Sequence, residues 1–204
     1  MPRSPSPQVR ALLIDRAAEL LARREPVTLR ALVAGTGVST MAVYTYFDGM
    51  PGLWGAVRQE GFRRLAERLQ SVATERDPVR HLALLGVGYV DHALSHPNLY
   101  RVMFDASFDL PDPATAGVTF ERVVAAAGRC VDAGRFRAEE QPGDIALRFW
   151  ANGHGIVSLA VTGVVSVTDL RRHAPAMTIA QFIDAGDSPD RARRSVRSAW
   201  RASE

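Results

Sequence analysis

Two chain breaks ten residues apart, Gly35-Thr36-Gly37-Val38 and Asp48-Gly49, constrain this sequence more than any other feature. The segment between them has room for only one short helix, from Thr40 to about Tyr46, with Ser39 as its N-cap. A second short helix, Leu29 to Ala34, precedes the first break, with Thr28 placed to cap it. Helices this short do not persist alone in water, so each must dock on something longer. The docking partner lies upstream, in a helix from about Gln8 to Arg23. There Val9, Leu12, Leu13, Arg16, Ala17, Leu20 and Leu21 trace one stripe, apolar except for Arg16, and Glu25-Pro26 ends it. Three helices, the last two short and joined by a glycine turn, form the outline of a helix-turn-helix.

That outline assigns roles. Gly37 makes the tight turn, and Val38 is the apolar plug between the two helices. In the last helix Val43 and Phe47 anchor one face. Thr40, Tyr44, Thr45 and Tyr46 form a polar edge, with Met41 and Ala42 able to touch thymine methyl groups. In such a motif the second helix enters the major groove with its N-terminal residues at base edges.

The charge distribution fits a polyanion partner for the first third only. Residues 1–70 hold ten arginines against six acids, residues 71–187 ten against fourteen, and residues 188–204 five against two. All 25 basic side chains are arginine, which reads as codon bias in a GC-rich genome. Residues 1–7 form a Pro/Ser arm, expected to be flexible, with no signal-peptide character. Cys130 is the single cysteine, so no disulfide is expected, and a reducing cytoplasm fits.

Beyond Asp48-Gly49 the sequence predicts further helices. Pro51 opens one that runs to about Thr74. Others span Pro78 to Ser95, Thr115 to Ala133 (stopped by Gly134) and Pro142 to Val167. A short piece, Asn98 to Phe108, is rich in large apolar groups; a short helix is expected near Ala176 to Ala185, and Ser188-Pro189 opens a last, arginine-rich helix to about Trp200. Phe149 to Val167 carries no formal charge, but its polar and glycine residues favour a helix buried in protein over a membrane span. The expected fold class is all-α: an N-terminal three-helix helix-turn-helix head over 8–50 and a larger helical ligand-binding and dimerisation domain over 51–204.

The stretch Thr28 to Phe47, with Gly37-Val38-Ser39 at the turn and Val43-Tyr44-Thr45-Tyr46-Phe47 at its end, resembles the TetR/AcrR family of transcriptional repressors. The resemblance implies that Thr28, Arg30, Thr40, Met41, Ala42, Tyr44, Thr45 and Tyr46 fall on DNA-contacting positions. Its partners would be a double-stranded operator, a small-molecule effector and a second copy of the chain, with no membrane and no cofactor. The chain departs from the family pattern at Met50, where a phosphate-binding lysine is usual. Arg3 and Arg10 are candidates to compensate. If they do not, the alternative is a ligand-binding module that has lost specific DNA recognition.

His96 to Phe104 and Trp150-Ala-Asn-Gly-His154-Gly155 resemble a C-terminal domain named for its Trp, His and Gly, found in a subset of these repressors. Trp150 and His154 lie one turn apart on one face, continued by Val157 and Val161. Phe149, Gly153, Ile156, Ala160 and Gly163 form other rows, read as facing a partner subunit. Ala192, Val196, Ala199 and Trp200 of the last helix would complete a four-helix dimer interface. Tyr89, His92, Met103, Phe104, Phe108, Phe120, Trp150 and His154 are the candidate ligand contacts. His92 and His96 are spaced as a metal pair would be, but no third ligand stands at a telling spacing, so no metal is expected. No nucleophile, base and acid set is present at catalytic spacing, so no enzyme is expected.

Overall fold

The computed structural model describes residues 6–23 and 25–202. Most of the N-terminal arm, including Arg3, lies outside the described residues. Ten helices occur among the described residues: α1 Pro7–Ala22, α2 Leu29–Val33, α3 Met41–Phe47, α4 Met50–Gln70, α5 Pro78–Ser95, α6 Pro97–Met103, α7 Pro113–Asp132, α8 Pro142–Val161, α9 Val167–Asp184 and α10 Pro189–Arg201. None of them is long and apolar enough to cross a membrane.

The chain divides into two compact units, residues 1–64 with 96–115 and residues 65–95 with 116–204. The boundary expected at 50/51 therefore falls inside α4, at 64/65, and α6 joins the first unit. Side-chain chemistry accounts for this. Arg58, on α4, donates from Nε to the Met103 carbonyl at 3.2 Å and from Nη1 to the Phe108 carbonyl. Gln59 donates to Thr115 Oγ1 at 2.7 Å and accepts from the Asp112 amide at 3.0 Å. The loop after α6 is thus held on α4, and Leu99 and Val102 of α6 enter the same apolar cluster as Leu13, Ile14, Ala17 and Leu53.

Several helix limits moved from their sequence-based expectation, each for a local reason. Helix α3 begins at Met41, but Thr40 before it is already helical (φ −60°, ψ −25°) and its side chain caps nothing, while the Ser39 carbonyl accepts from the Ala42 amide at 3.0 Å and so starts the turn one residue earlier. Helix α4 begins at Met50 and stops at Gln70, short of Thr74. Helix α8 stops at Val161, where Gly163 turns the chain with φ +81°. Ser166 then caps α9 by accepting from the Asp169 amide at 3.0 Å. Helix α9 continues past Pro175, so the expected short helix near 176–185 is part of a long one. A proline inside a helix loses one backbone hydrogen bond, which tertiary packing has overridden here. In α1 the buried stripe is Leu13, Ile14, Ala17, Ala18 and Leu20, while Leu12 is 41% exposed.

In the second unit, Phe182 packs its ring 5.4 Å from Phe136 and 5.5 Å from Phe149. Gln181 donates to the Ile145 carbonyl at 3.1 Å and accepts from Asn152 at 3.0 Å, pinning α9 to α8. Ala192, Val196 and Ala199 are fully buried within the chain, where α10 lies against α5 and α9. The expected dimer role of these α10 residues is therefore corrected: an arginine-covered helix has one apolar stripe, and it is used inside the protomer. Phe149 and Ile156 likewise sit in the protomer's own core rather than facing outward.

Candidate nucleic-acid interface

Two short helices present the candidate DNA edge. Thr28 caps α2 by accepting from the Ala31 amide at 3.2 Å, an interaction worth ~1 kcal/mol. Gly35 and Gly37 both take positive φ, +73° and +72°, so the α2–α3 turn tolerates little else. Val43 and Phe47 are buried and fix the roll of α3 about its axis. That roll leaves Met41 66% exposed and Tyr44 53% exposed, with Thr28, Arg30 and Thr45 exposed beside them. Thr45 donates to the Met41 carbonyl at 3.0 Å, which holds its hydroxyl along the helix.

The remaining three candidates are only half-buried positions. Thr40 sits at the cap, and Ala42 packs partly on the head core. Tyr46 is turned inward enough that its hydroxyl accepts the Ser6 amide at 2.6 Å, tying the start of α1 to α3. The outward edge is therefore Met41, Tyr44 and Thr45, framed by Thr28 and Arg30.

Sequence reasoning missed the corner after α3. Asp48 adopts a left-handed conformation (φ 56°), and Gly49 follows at φ +100° with the Tyr44 ring against it. Gly52, in the first turn of α4, lies so close to α3 that an added Cβ would meet the Phe47 carbonyl oxygen at 1.9 Å. Nothing in the local sequence marks Gly52, because the contact belongs to the crossing of two helices. Met50, at the usual lysine position, is half-buried and packs on the head core. Arg10 is exposed and lies over the Phe47 ring, 5.4 Å from its centroid, a cationic group on the same surface.

The eight candidate ligand residues separate by unit. Met103, Phe104 and Phe108 belong to the unit that carries the head. Met103 is fully buried, Phe104 stacks edge-on with Phe62 and Tyr100, and Phe108 meets Trp54 at 5.5 Å. Tyr89, His92, Phe120, Trp150 and His154 belong to the other unit. Phe120 lies 5.9 Å from Trp150, and Trp150 lies 6.3 Å from His154, edge to face. His154 Nδ1 is 3.0 Å from the Tyr89 hydroxyl and Nε2 is 3.3 Å from Ser158 Oγ, so hydroxyls flank both ring nitrogens. Burial lowers the His154 pKa below the usual imidazole value, which favours the neutral ring. His92 is buried, and Trp150 is 38% exposed.

Among the described residues, no group of three His, Cys, Asp or Glu side chains is gathered as a metal site. Cys130 is fully buried, and burial pushes its thiol up to about 12. It is a packing residue.

A short, outward-edged helix mounted on a three-helix core defines the helix-turn-helix class of DNA-binding proteins. Residues 82–177 match the family model described as "Tetracyclin repressor-like, C-terminal domain", a stretch that contains both His96–Phe104 and Trp150–Gly155. An uncharacterized HTH-type transcriptional regulator, Rv0681 of Mycobacterium tuberculosis, is 26% identical over 171 residues, 81% of this chain and 76% of its own. The fold is shared with the TetR family protein CprB of S. coelicolor (TM-score 0.71, 19% identity, 95% of this chain and 97% of that one). It is shared also with RolR in complex with resorcinol (TM-score 0.62, 22% identity, 93% of each chain). The chain is thus similar to TetR-family regulators in fold, and over residues 82–177 it matches their C-terminal domain model.

Proposed function

We propose that this chain is a dimeric repressor that reads a palindromic operator and releases it when a small apolar molecule enters the body. The observation that carries the reading is the outward edge of α3: buried Val43 and Phe47 leave Met41, Tyr44 and Thr45 in solvent on a short helix that follows a glycine turn. Thr28, Arg30, Thr40, Ala42 and Tyr46 would support that edge as cap, phosphate contact or groove wall. With no lysine near Met50, phosphate contact would fall to Arg10, Arg30 and the amides that open α4.

A palindrome requires two heads about 34–36 Å apart, hence a dimer. The exposed apolar groups of the body, Leu147 and Leu159 on α8 with Val164 and Val167 at its junction to α9, favour those two helices as the interface. The effector would contact Phe120, Trp150, His154 and Tyr89, with His92 as a further candidate in the same unit. That set suits a ring with one polar group, since aromatic faces are joined by a neutral imidazole and a phenol. RolR, of the same fold, is known bound to resorcinol, an aromatic ring that carries two hydroxyl groups. Binding releases DNA only if the effector prefers the state whose heads are misplaced.

The test is a mobility shift with DNA from upstream of the protein's own gene. Wild type is expected to retard it, less so as salt rises. Tyr44→Ala is expected to weaken binding about 10- to 100-fold, equivalent to ~1.4–2.8 kcal/mol, with the circular dichroism spectrum unchanged. Absence of retardation by a folded dimer at low salt would remove the proposal.

A further inference from the structure

Within the second unit, the segment before α5, the end of α7 and one side of α10 line an open cleft of about 680 Å³. Its lining contains no aromatic ring. It holds five arginines, Arg76, Arg80, Arg135, Arg191 and Arg194, against two carboxylates, Glu75 and Asp77. Both carboxylates are already engaged by the wall itself. Asp77 accepts from Arg135 Nη1 at 2.6 Å and from Ser195, and Glu75 is paired with Arg80. Behind the wall, Asp187 takes two more donors of Arg135, at 2.9 and 2.6 Å, and is itself fully buried.

Arg135 is thereby a fixed part of the frame. Arg76, Arg191 and Arg194 are different: among the described residues they form no ion pair, and all three are exposed on the cleft. Arg191 and Arg194 stand three residues apart on α10 and so share one face. Three cations line the cleft, Arg76 from the net acidic stretch 71–187 and Arg191 and Arg194 from the net basic α10 region. Like charges lining one cleft repel, and an anion with several oxygens would relieve that repulsion while accepting forked guanidinium hydrogen bonds.

We propose that this cleft binds a small polyanion carrying two or three closely spaced phosphate or carboxylate groups. The volume suits a small molecule, and the polar wall excludes the apolar ring favoured at Trp150 and His154. The site is independent of DNA contact and of that aromatic cluster.

The experiment is isothermal titration of the full-length protein, at low ionic strength, with inorganic pyrophosphate and separately with citrate. One saturable site per chain is expected, weakening with added salt. Arg191→Ala with Arg194→Ala is expected to lower affinity at least about tenfold. Arg193→Ala with Arg197→Ala, which removes the same charge from the same helix outside the cleft, is expected to change it less than about twofold. Circular dichroism confirms that both variants fold. Pyrophosphate binding alone assigns phosphate groups, citrate binding alone assigns carboxylates, and both together assign polyanions in general. No saturable binding of either probe up to millimolar concentrations overturns the proposal, as does an equal loss in the two double variants.

Discussion

The two units hold their helices together by different means. In the unit with the recognition helix, the bond between α1 and α4 that involves charge is Arg64 to Asp15 at 3.1 Å, and Asp15 stays 56% exposed. Its order comes mainly from apolar packing and from backbone contacts that only glycine permits, with the polar bonds of Arg58 and Gln59 holding the loop after α6 and Glu60 paired along α4 with Arg63 and Arg64. In the other unit the ends of α7 and α10 and the segment before α5 meet at Arg135, whose side chain is 5% exposed, and Asp187, whose side chain is fully buried. Burial disfavours charge on Arg135, but hydrogen bonds and attraction from Asp187 and Asp77 more than offset it and raise its pKa. One unit thus rests mainly on shape, while the other is locked by an ion network that joins three segments far apart in sequence. Shape is sensitive to single methyl groups, and a buried network is sensitive to the loss of one partner.

The largest expected effect tests the ion network. Asp187→Ala leaves Arg135 buried with half its partners and is expected to cost ~3–5 kcal/mol, lowering Tm by roughly 10 °C. Asp15→Ala, the equivalent deletion in the head, is expected to stay within ~0.5 kcal/mol. Equal losses in calorimetry would erase the contrast. Gly52→Ala comes next, since its Cβ would strike the Phe47 carbonyl; a cost of about 3 kcal/mol is expected, together with loss of DNA retardation. A Gly52→Ala protein as stable as wild type would show that α3 and α4 can move apart freely.

A smaller effect depends on pH. His154 has a lowered pKa in the folded state, so the unfolded chain takes up its proton first as pH falls. Stability is therefore expected to be lost as pH drops through about 6.5, the ordinary imidazole value, toward the lowered folded value. His81 is lowered as well, by burial and nearby arginines, so part of the slope belongs to it. His154→Gln should flatten the Tm profile between neutral and mildly acidic pH without abolishing its slope; an unchanged profile would contradict the burial of that ring. The smallest expected effect is a gain. Gly117 on α7 has open space where a Cβ would go, so Gly117→Ala should stabilise by up to ~1 kcal/mol through helix propensity. A loss there would reveal a neighbour across α7.

The head was legible in the sequence because its constraints are local. A cap at Thr28, a glycine turn at 35–37 and apolar residues at Val43 and Phe47 can each be read within a few positions. The α8 region was not legible in the same way. A helix that is apolar nearly all round has no stripe to show which face turns inward, so Phe149 and Ile156 were read outward and proved to be core. The α10 stripe was found correctly but given the wrong neighbour, because amphipathicity names a buried face and not the surface that buries it. Pro175 hid the length of α9 for a related reason, since packing against α8 outweighs one missing hydrogen bond.

By itself, then, the order of residues determined the all-helical class, the positions of the short helices α2 and α3, and the buried face of α3 at Val43 and Phe47, though not that Tyr46 turns inward. Those follow from turn chemistry and periodicity, which act over a few residues. The tertiary structure alone decided that α4 is shared between two compact units, that Gly52 must be glycine, and that five arginines far apart in sequence line one cleft. Such features arise where helices cross, and a crossing is set by the sum of many weak contacts that no single stretch of chain contains.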